Sequence, residues 1–147
     1  MSHTTTIGTI LFADIGALQG AIKELKSQGI QCKLLENAAP RAYSANQSGM
    51  GKAPYVVNLP NADYDIGLYP SESGEGLEPR TDFYRGSVQR ELGAEHVKPG
   101  EDTEQAKIGK LVQMYAIHAA ERKAVQQGMQ VTRVPTDNGG LQLKIVA

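Results

Sequence analysis

Cysteine is almost missing from this chain of 147 residues. Cys32 stands alone, so no intramolecular disulfide and no cysteine-rich zinc site can form. Tryptophan is absent, and the aromatic complement is six tyrosines and two phenylalanines. No stretch approaches the roughly 18 apolar residues that a bilayer span needs. Neither sign of charge dominates: 15 Lys and Arg stand against 16 Asp and Glu, for a net charge of −1. That excludes a polybasic chain holding nucleic acid by bulk charge, though a local basic patch stays open. Walker-type phosphate loops, GxGxxG, HExxH, GxSxG and EF-hand signatures are all lacking, and no internal repeat is visible. The opening Met1–Thr6 has neither a basic n-region nor an apolar core. The expectation is a soluble protein kept in the cytoplasm, with no membrane partner.

What is present is a globular balance, 40% hydrophobic and 21% charged. A chain of about 150 residues buries roughly 68–70% of its extended surface on folding, enough for one core without staples. A single domain over 1–147 is therefore expected.

Residues 4–12 are rich in β-branched types and predict a first strand. Asp14 is placed to cap a helix. Ile15, Leu18, Ile22 and Leu25 follow at spacings of three and four, which is one helical face. Gly29 supplies the stop. Ile30–Glu36 alternates as a second strand. Residues 37–53 turn small, polar and aperiodic, and predict a long loop. Tyr55–Leu59 and Tyr64–Tyr69 pair as strands about the turn Pro60–Asp63. Leu77–Tyr84 is a further short strand, weakened by Pro79. A polar stretch, 86–104, contains a short helix at Ser87–Leu92. A long helix runs from about Thr103 to Gln127, with Gly128 as its stop. Met129–Val134 and Leu141–Val146 close the chain as a hairpin about Asp137-Asn138-Gly139-Gly140. The order β-α-β-β-β-(β)-α-β-β predicts an α+β fold: a mainly antiparallel sheet with two helices packed on one face. Residues 37–53 and 86–104 are its polar insertions.

Three segments carry a family resemblance: Met1-Ser2-His3-Thr4-Thr5-Thr6-Ile7, Tyr64-Asp65-Ile66-Gly67-Leu68 and Gln113-Met114-Tyr115-Ala116-Ile117-His118. Together with the element order they resemble the hypothetical chloroplast open reading frame thirty-five family of plastids and cyanobacteria, also found in bacteria and phages. The similarity extends over about two-thirds of the chain. The family's tryptophan after the central strands is replaced here by Asp82-Phe83-Tyr84. The resemblance implies the fold and brings no biochemical activity with it.

The long helix holds the candidate binding residues. With Ile108 at zero and 100° per residue, Leu111, Val112, Tyr115 and Ala119 fall together, widened by Met114 and Val125. His118 and Arg122 fall inside that stripe, four residues apart on one face. Buried, they must be paired or hydrogen-bonded. They read as a polar network tying the helix to the sheet, as an Arg stem lying flat with its head in water, or, with Tyr115, as a cleft for an anionic ligand. Ile117 falls on the opposite side and is expected to be exposed. His3 is a fourth candidate, near the start of the first strand, where imidazole could titrate or bind. Asp63, Asp65 and Asp82 read as turn and strand-face residues, since nothing in their spacing forces them together. Cys32 shares a face with Ile30 and Leu34 and reads as a buried, inert thiol. Lys107, Lys110, Arg122 and Lys123 are diluted by Glu104 and Glu121, which suits a solvated face.

These residues call for no cofactor and no metal, and name no reaction class. The reading is a small, non-catalytic module that binds a protein partner. The alternative is single-stranded nucleic-acid binding through Tyr55, Tyr64 and Tyr69, although Tyr64 and Tyr69 have opposite parity on one strand. An enzyme built on His3, His118 and Arg122 ranks behind both. A hairpin at the end of a sheet leaves an edge that a second copy could cover, so a homodimer is a further expectation.

Overall fold

The computed structural model describes residues 4–6, 11–42, 51–94, 103–135, 137 and 141–146. The chain runs β1 (Thr4–Thr6), α1 (Ile15–Ser27), β2 (Lys33–Ala38), β3 (Ala53–Asn58), β4 (Ile66–Pro70), β5 (Leu77–Asp82), α2 (Ser87–Leu92), α3 (Gly109–Gln126), β6 (Gln130–Pro135) and β7 (Leu141–Val146). Short 3-10 turns at Tyr84–Gly86 and Ala106–Ile108 lead into α2 and α3. Five strands form one antiparallel sheet in the order β1-β5-β4-β3-β2. The last two form a hairpin of their own.

The expected α+β class, with an antiparallel sheet and helices laid on one face, is the observed architecture. Alternation along the strands decides which face is covered. Ile66 and Leu68 of β4 and Val57 of β3 point into one core with Leu18, Ile22 and Leu25 of α1. Leu111, Met114 and Tyr115 of α3 complete that core. On the other face Val56 and Tyr69 pack with Ala53, backed by Ala38 and Ala42. The Arg80 guanidinium lies 4.6 Å from the Tyr69 ring centroid. Gly67 sits beneath these groups: a Cβ there would come within 2.5 Å of Tyr69 Cε2 and 3.0 Å of Pro40 Cγ.

Helix α1 begins and ends as its sequence predicts. Asp14 is the N-cap, and its carboxylate accepts a hydrogen bond from the Ala17 N–H at 3.1 Å. Gly29 follows the last turn at φ +94°, a conformation that glycine adopts without a Cβ penalty. Helix α3 starts later than expected. Thr103 Oγ1 does accept from the Ala106 N–H at 3.2 Å, but the turn it caps is 3-10, and the α-helix proper starts at Gly109.

Several strands are shifted or shortened. Of the first strand, Thr4–Thr6 is described and 7–10 lie outside the described residues, while Phe12 makes an isolated bridge to Leu77. The second begins at Lys33 rather than Ile30, because Ile30 and Cys32 are drawn under α1: the Ile30 N–H bonds Leu25 O and the Cys32 thiol bonds Ile22 O. Fully buried Val88 and Leu92 of α2 join the main core, so the polar stretch from 86 opens on core residues. Expectations for the loop over 43–50, for 95–102 and for the hairpin turn at 138–140 fall outside the described residues.

Two expectations about α3 are corrected. Ile117 is buried, at 6% exposure, and Val125 is 67% exposed. A single apolar stripe fails here because α3 is contacted by α1, α2 and β6 together, which buries more of its circumference near the middle. Val125 lies in the last turn of the helix, beyond much of that cover. No helix among the described residues is long and apolar enough to cross a membrane.

Candidate functional site

The seam between α1 and α3 is built on small residues. Gly16, Gly20 and Glu24 recur every four residues along α1 and so share a face. Arg122 and His118 of α3 lie over the two glycines. A Cβ at Gly16 would clash with the Arg122 guanidinium, and one at Gly20 would fall within 2.5 Å of His118 Nδ1. The glycines thus make room for two large polar side chains against the helix backbone.

Each candidate on α3 has a defined partner. Tyr115 is 7% exposed, and its hydroxyl oxygen accepts hydrogen bonds from the Ala13 and Asp14 N–H groups, both at 2.9 Å. Its ring meets Phe12 edge-on at 4.7 Å. Arg122 Nε donates to both carboxylate oxygens of Asp14, at 3.0 and 3.2 Å. Burial pushes the Asp14 carboxyl up, but the Ala17 N–H and Arg122 outweigh it and hold the group below its usual range. His118 Nε2 lies 2.8 Å from Glu24 Oε1.

Arg133 of β6 extends the network to the hairpin. Its Nε and Nη2 donate to the two oxygens of Glu121 at 2.8 and 2.7 Å, and its Nη1 donates to Glu24 Oε2 at 2.7 Å. The Arg133 hydrogen bond is the largest influence holding both carboxyls below their usual range, with His118 adding to it at Glu24. Those carboxylates raise the guanidinium in turn, Glu121 more than Glu24. Because Glu24 stays ionised, it accepts from the Nε2–H of His118.

Three of the four sequence candidates, Tyr115, His118 and Arg122, therefore meet along one seam. His3 lies outside the described residues. An open depression of about 320 Å³ is lined by His118, Glu121, Arg122, Val125 and Gln126. An anion entering it would have to compete with Asp14 for Arg122 and with Glu24 for His118. The seam is built as a clamp joining α1, α3 and β6. Sequence reasoning missed Glu24 and Arg133 as its keystones and did not use the Gly16–Gly20 spacing, which was a readable signal for close helix approach.

The remaining candidates are structural in their contacts. Asp65 pins the β3–β4 turn: its oxygens accept from the N–H and guanidinium of Arg41, from Asn58 Nδ2 and from the Leu59 N–H. Asp82 Oδ1 accepts from the Tyr84 N–H at 2.9 Å. Cys32 is buried, and burial pushes its thiol up, away from the reactive thiolate. Tyr69 is buried with its hydroxyl donating to Gly51 O at 3.1 Å, while Tyr55 and Tyr64 pack against the helix-side core. Among the described residues, no group of three or more His, Cys, Asp or Glu side chains is placed to hold a metal ion.

Among the described residues, hairpin β6–β7 carries four of the seven exposed large apolar side chains. Ile145 is 49% exposed and Leu141 36%, and Val134 and Val146 are exposed as well. Comparison with known proteins adds no relative: the chain matches no family model, no curated protein and no solved structure.

Proposed function

We propose that the protein is a non-catalytic binding module that docks a protein partner through hairpin β6–β7. The observation that carries this reading is the hairpin's isolation. It is paired to no strand of the five-stranded sheet, it is anchored to the helices by Arg133, and it holds four of the exposed large apolar side chains. A lone two-stranded hairpin is marginally stable in water. Leu141 and Ile145 flank Leu143 on one face of β7, with Val134 and Val146 on the other, and an exposed apolar stripe on a small domain marks an interaction site. The helix seam serves this function as the mount that fixes the hairpin. The resemblance to the chloroplast open reading frame thirty-five family supplies no activity that competes with this reading.

Immobilised protein incubated with lysate of its source organism tests the proposal. Wild type should retain a protein that the variant Leu141→Lys/Ile145→Lys does not. Equal capture by both, or none above background, overturns it.

A further inference from the structure

We infer that the partner taken by β7 is a second copy of this chain, joined antiparallel edge to edge about Leu143, so that two hairpins form one four-stranded sheet. The inference rests on the docking reading above and names its partner.

Among the described strands, β7 pairs with β6 alone. Among the described residues its outer edge therefore meets no backbone partner and is a ready template for another strand. Strand β2, an edge of the five-stranded sheet, is guarded differently. It carries exposed Lys33 and Glu36, and Asn37 kinks it at φ 49°. Charges and local kinks of this kind discourage pairing. Along β7 the only charge is Lys144, and the strand contains no proline and no positive φ.

The two faces of the hairpin differ in character. Pairing puts Val131 beside Ile145, Arg133 beside Leu143, and Pro135 beside Leu141. This face turns toward the helices, since Arg133 reaches Glu24 and Glu121 from it. Gln130, Thr132, Gln142 and Lys144 lie on the opposite, exposed face with Val134 and Val146. The helix-side face is thus apolar around Arg133, yet Ile145 and Leu141 on β7 remain open. What would cover them has to extend that face sideways, past β7.

Register selects the second copy. Residues directly opposite in an antiparallel pair lie on the same face, so a slip of one residue would set the apolar side of one copy beside the polar side of the other. Only symmetric registers that pair odd with odd numbers keep the faces matched. Centring on Leu143 sets Leu143 against its own copy, Leu141 against Ile145 twice, and Lys144 against the Gln142 amide twice. Centring on Lys144 instead sets two ammonium groups directly opposite, which is destabilising. Centring on Gln142 also matches the faces, but it leaves Ile145 opposite no residue of β7. The register about Leu143 therefore covers both Leu141 and Ile145 and keeps the ammonium groups apart, and it is closed by a two-fold axis.

Sedimentation equilibrium across a concentration series tests this with exposed, non-core substitutions. Wild type should dimerise. Gln142→Glu, which faces Lys144 of the other copy, should tighten the dimer about 2- to 10-fold, and Gln142→Lys should loosen it by a similar factor. Gln142→Glu/Lys144→Glu should be monomeric alone and should form a mixed dimer with Gln142→Lys. Hydrogen exchange on wild type should show β7 amides gaining protection as concentration rises. A monomer at ~100 µM, or a dimer indifferent to these charges, overturns the inference. If wild type stays monomeric yet captures a foreign protein through Leu141 and Ile145, self-pairing fails and the docking reading stands. A dimer in this register that captures no foreign protein supports self-pairing and overturns docking of any other partner.

Discussion

Arg133 of β6 grips Glu121 of α3 with two parallel hydrogen bonds, 2.8 Å from Nε and 2.7 Å from Nη2, while its third nitrogen reaches Glu24 of α1. One guanidinium on a two-stranded hairpin thereby joins both long helices. Planar fork-to-carboxylate pairing fixes direction as well as distance. The hairpin shares no backbone ladder with the main sheet, so this contact and the packing of β6 on α3 set its orientation.

Replacing Arg133 with Gln should loosen the hairpin more than the core. The three groups are each about a quarter to a third exposed, between a surface pair and a buried one. A cost of about 1–2 kcal/mol is expected. Hydrogen exchange is the discriminating measurement. Amides of β6 and β7 should exchange faster, while those of β3 and β4 keep the protection of the global fold. Uniform loss across the chain would contradict the local role.

Acid should have a similar effect. Glu24 and Glu121 are held below their ordinary carboxyl range, chiefly by Arg133. A carboxyl depressed in the folded state contributes stability that is present above its unfolded value. That stability is lost as pH falls through the folded value. Between pH ~7 and ~5 stability should therefore change little from these groups, and below ~4.5 it should decline. Chemical denaturation midpoints at several pH values check this. Arg133→Gln should flatten the acid limb, because without the guanidinium the two carboxyls return toward ordinary values.

Tyr115 was a binding candidate in the sequence, and its hydroxyl instead receives two backbone N–H groups just before α1. Tyr115→Phe leaves the ring packing on Phe12 intact and removes the one acceptor that both N–H groups share. Part-buried donors without partners cost about 1–3 kcal/mol. A melting-temperature drop of several degrees should follow, with the far-ultraviolet circular dichroism of the folded state unchanged.

The parts of this fold that were legible in the sequence are those governed by local chemistry. Asp14 and Gly29 bound α1 because capping depends on the residues themselves. The Ser87–Leu92 helix and the Leu141–Val146 strand also fell where local pattern put them. Burial around α3 was not legible: Ile117 is covered and Val125 is not, because several elements pack on one helix, and a helical wheel knows only its own helix. The same limit applied to the site. Tyr115, His118 and Arg122 could be grouped by spacing on α3. Glu24 could not join them, since it lies 94 residues from His118 and 109 from Arg133, and Arg133, though 12 residues from Glu121, sits on a different element. Separation of the hairpin from the main sheet was likewise invisible, because an alternating strand pattern does not name its neighbour.

Glycines test the packing on opposite sides of the sheet. Gly67→Ala would drive a Cβ into the Tyr69 ring and Pro40, both held in place, since the Tyr69 hydroxyl is bonded to Gly51 O. Overpacking of this kind should cost about 1–3 kcal/mol. Gly16→Ala also meets a close neighbour, but that neighbour is the mobile end of Arg122, which is nearly half exposed. The gain in helix propensity, about 1 kcal/mol, should offset the loss of a solvent-screened pair with Asp14. Equilibrium unfolding should show Gly67→Ala clearly destabilised and Gly16→Ala near wild type. Equal losses at both sites would mean that α1 and α3 cannot adjust at the seam.

Asp65 provides the sharpest test of a residue that reads as chemistry in sequence and as architecture in structure. It is 3% exposed, and its two oxygens accept hydrogen bonds from Arg41, Asn58 and the Leu59 N–H, the Arg41 Nη2 bond being 2.8 Å. The same guanidinium donates to Leu59 O at 2.7 Å, so Asp65 holds both the β3–β4 turn and the irregular segment leading out of β2. Asp65→Ala strands several donors together. Arg41 can turn partly back to water, since its side chain is 45% exposed, which limits the cost to the lower part of the range for a broken buried pair, about 3 kcal/mol. Asp65→Asn keeps the shape and one acceptor oxygen, and should cost less. Double-mutant cycles with Arg41→Ala should give a coupling above 1 kcal/mol. Additive losses would show that the backbone bonds from Arg41 and Leu59, and not the ion pair, carry the turn.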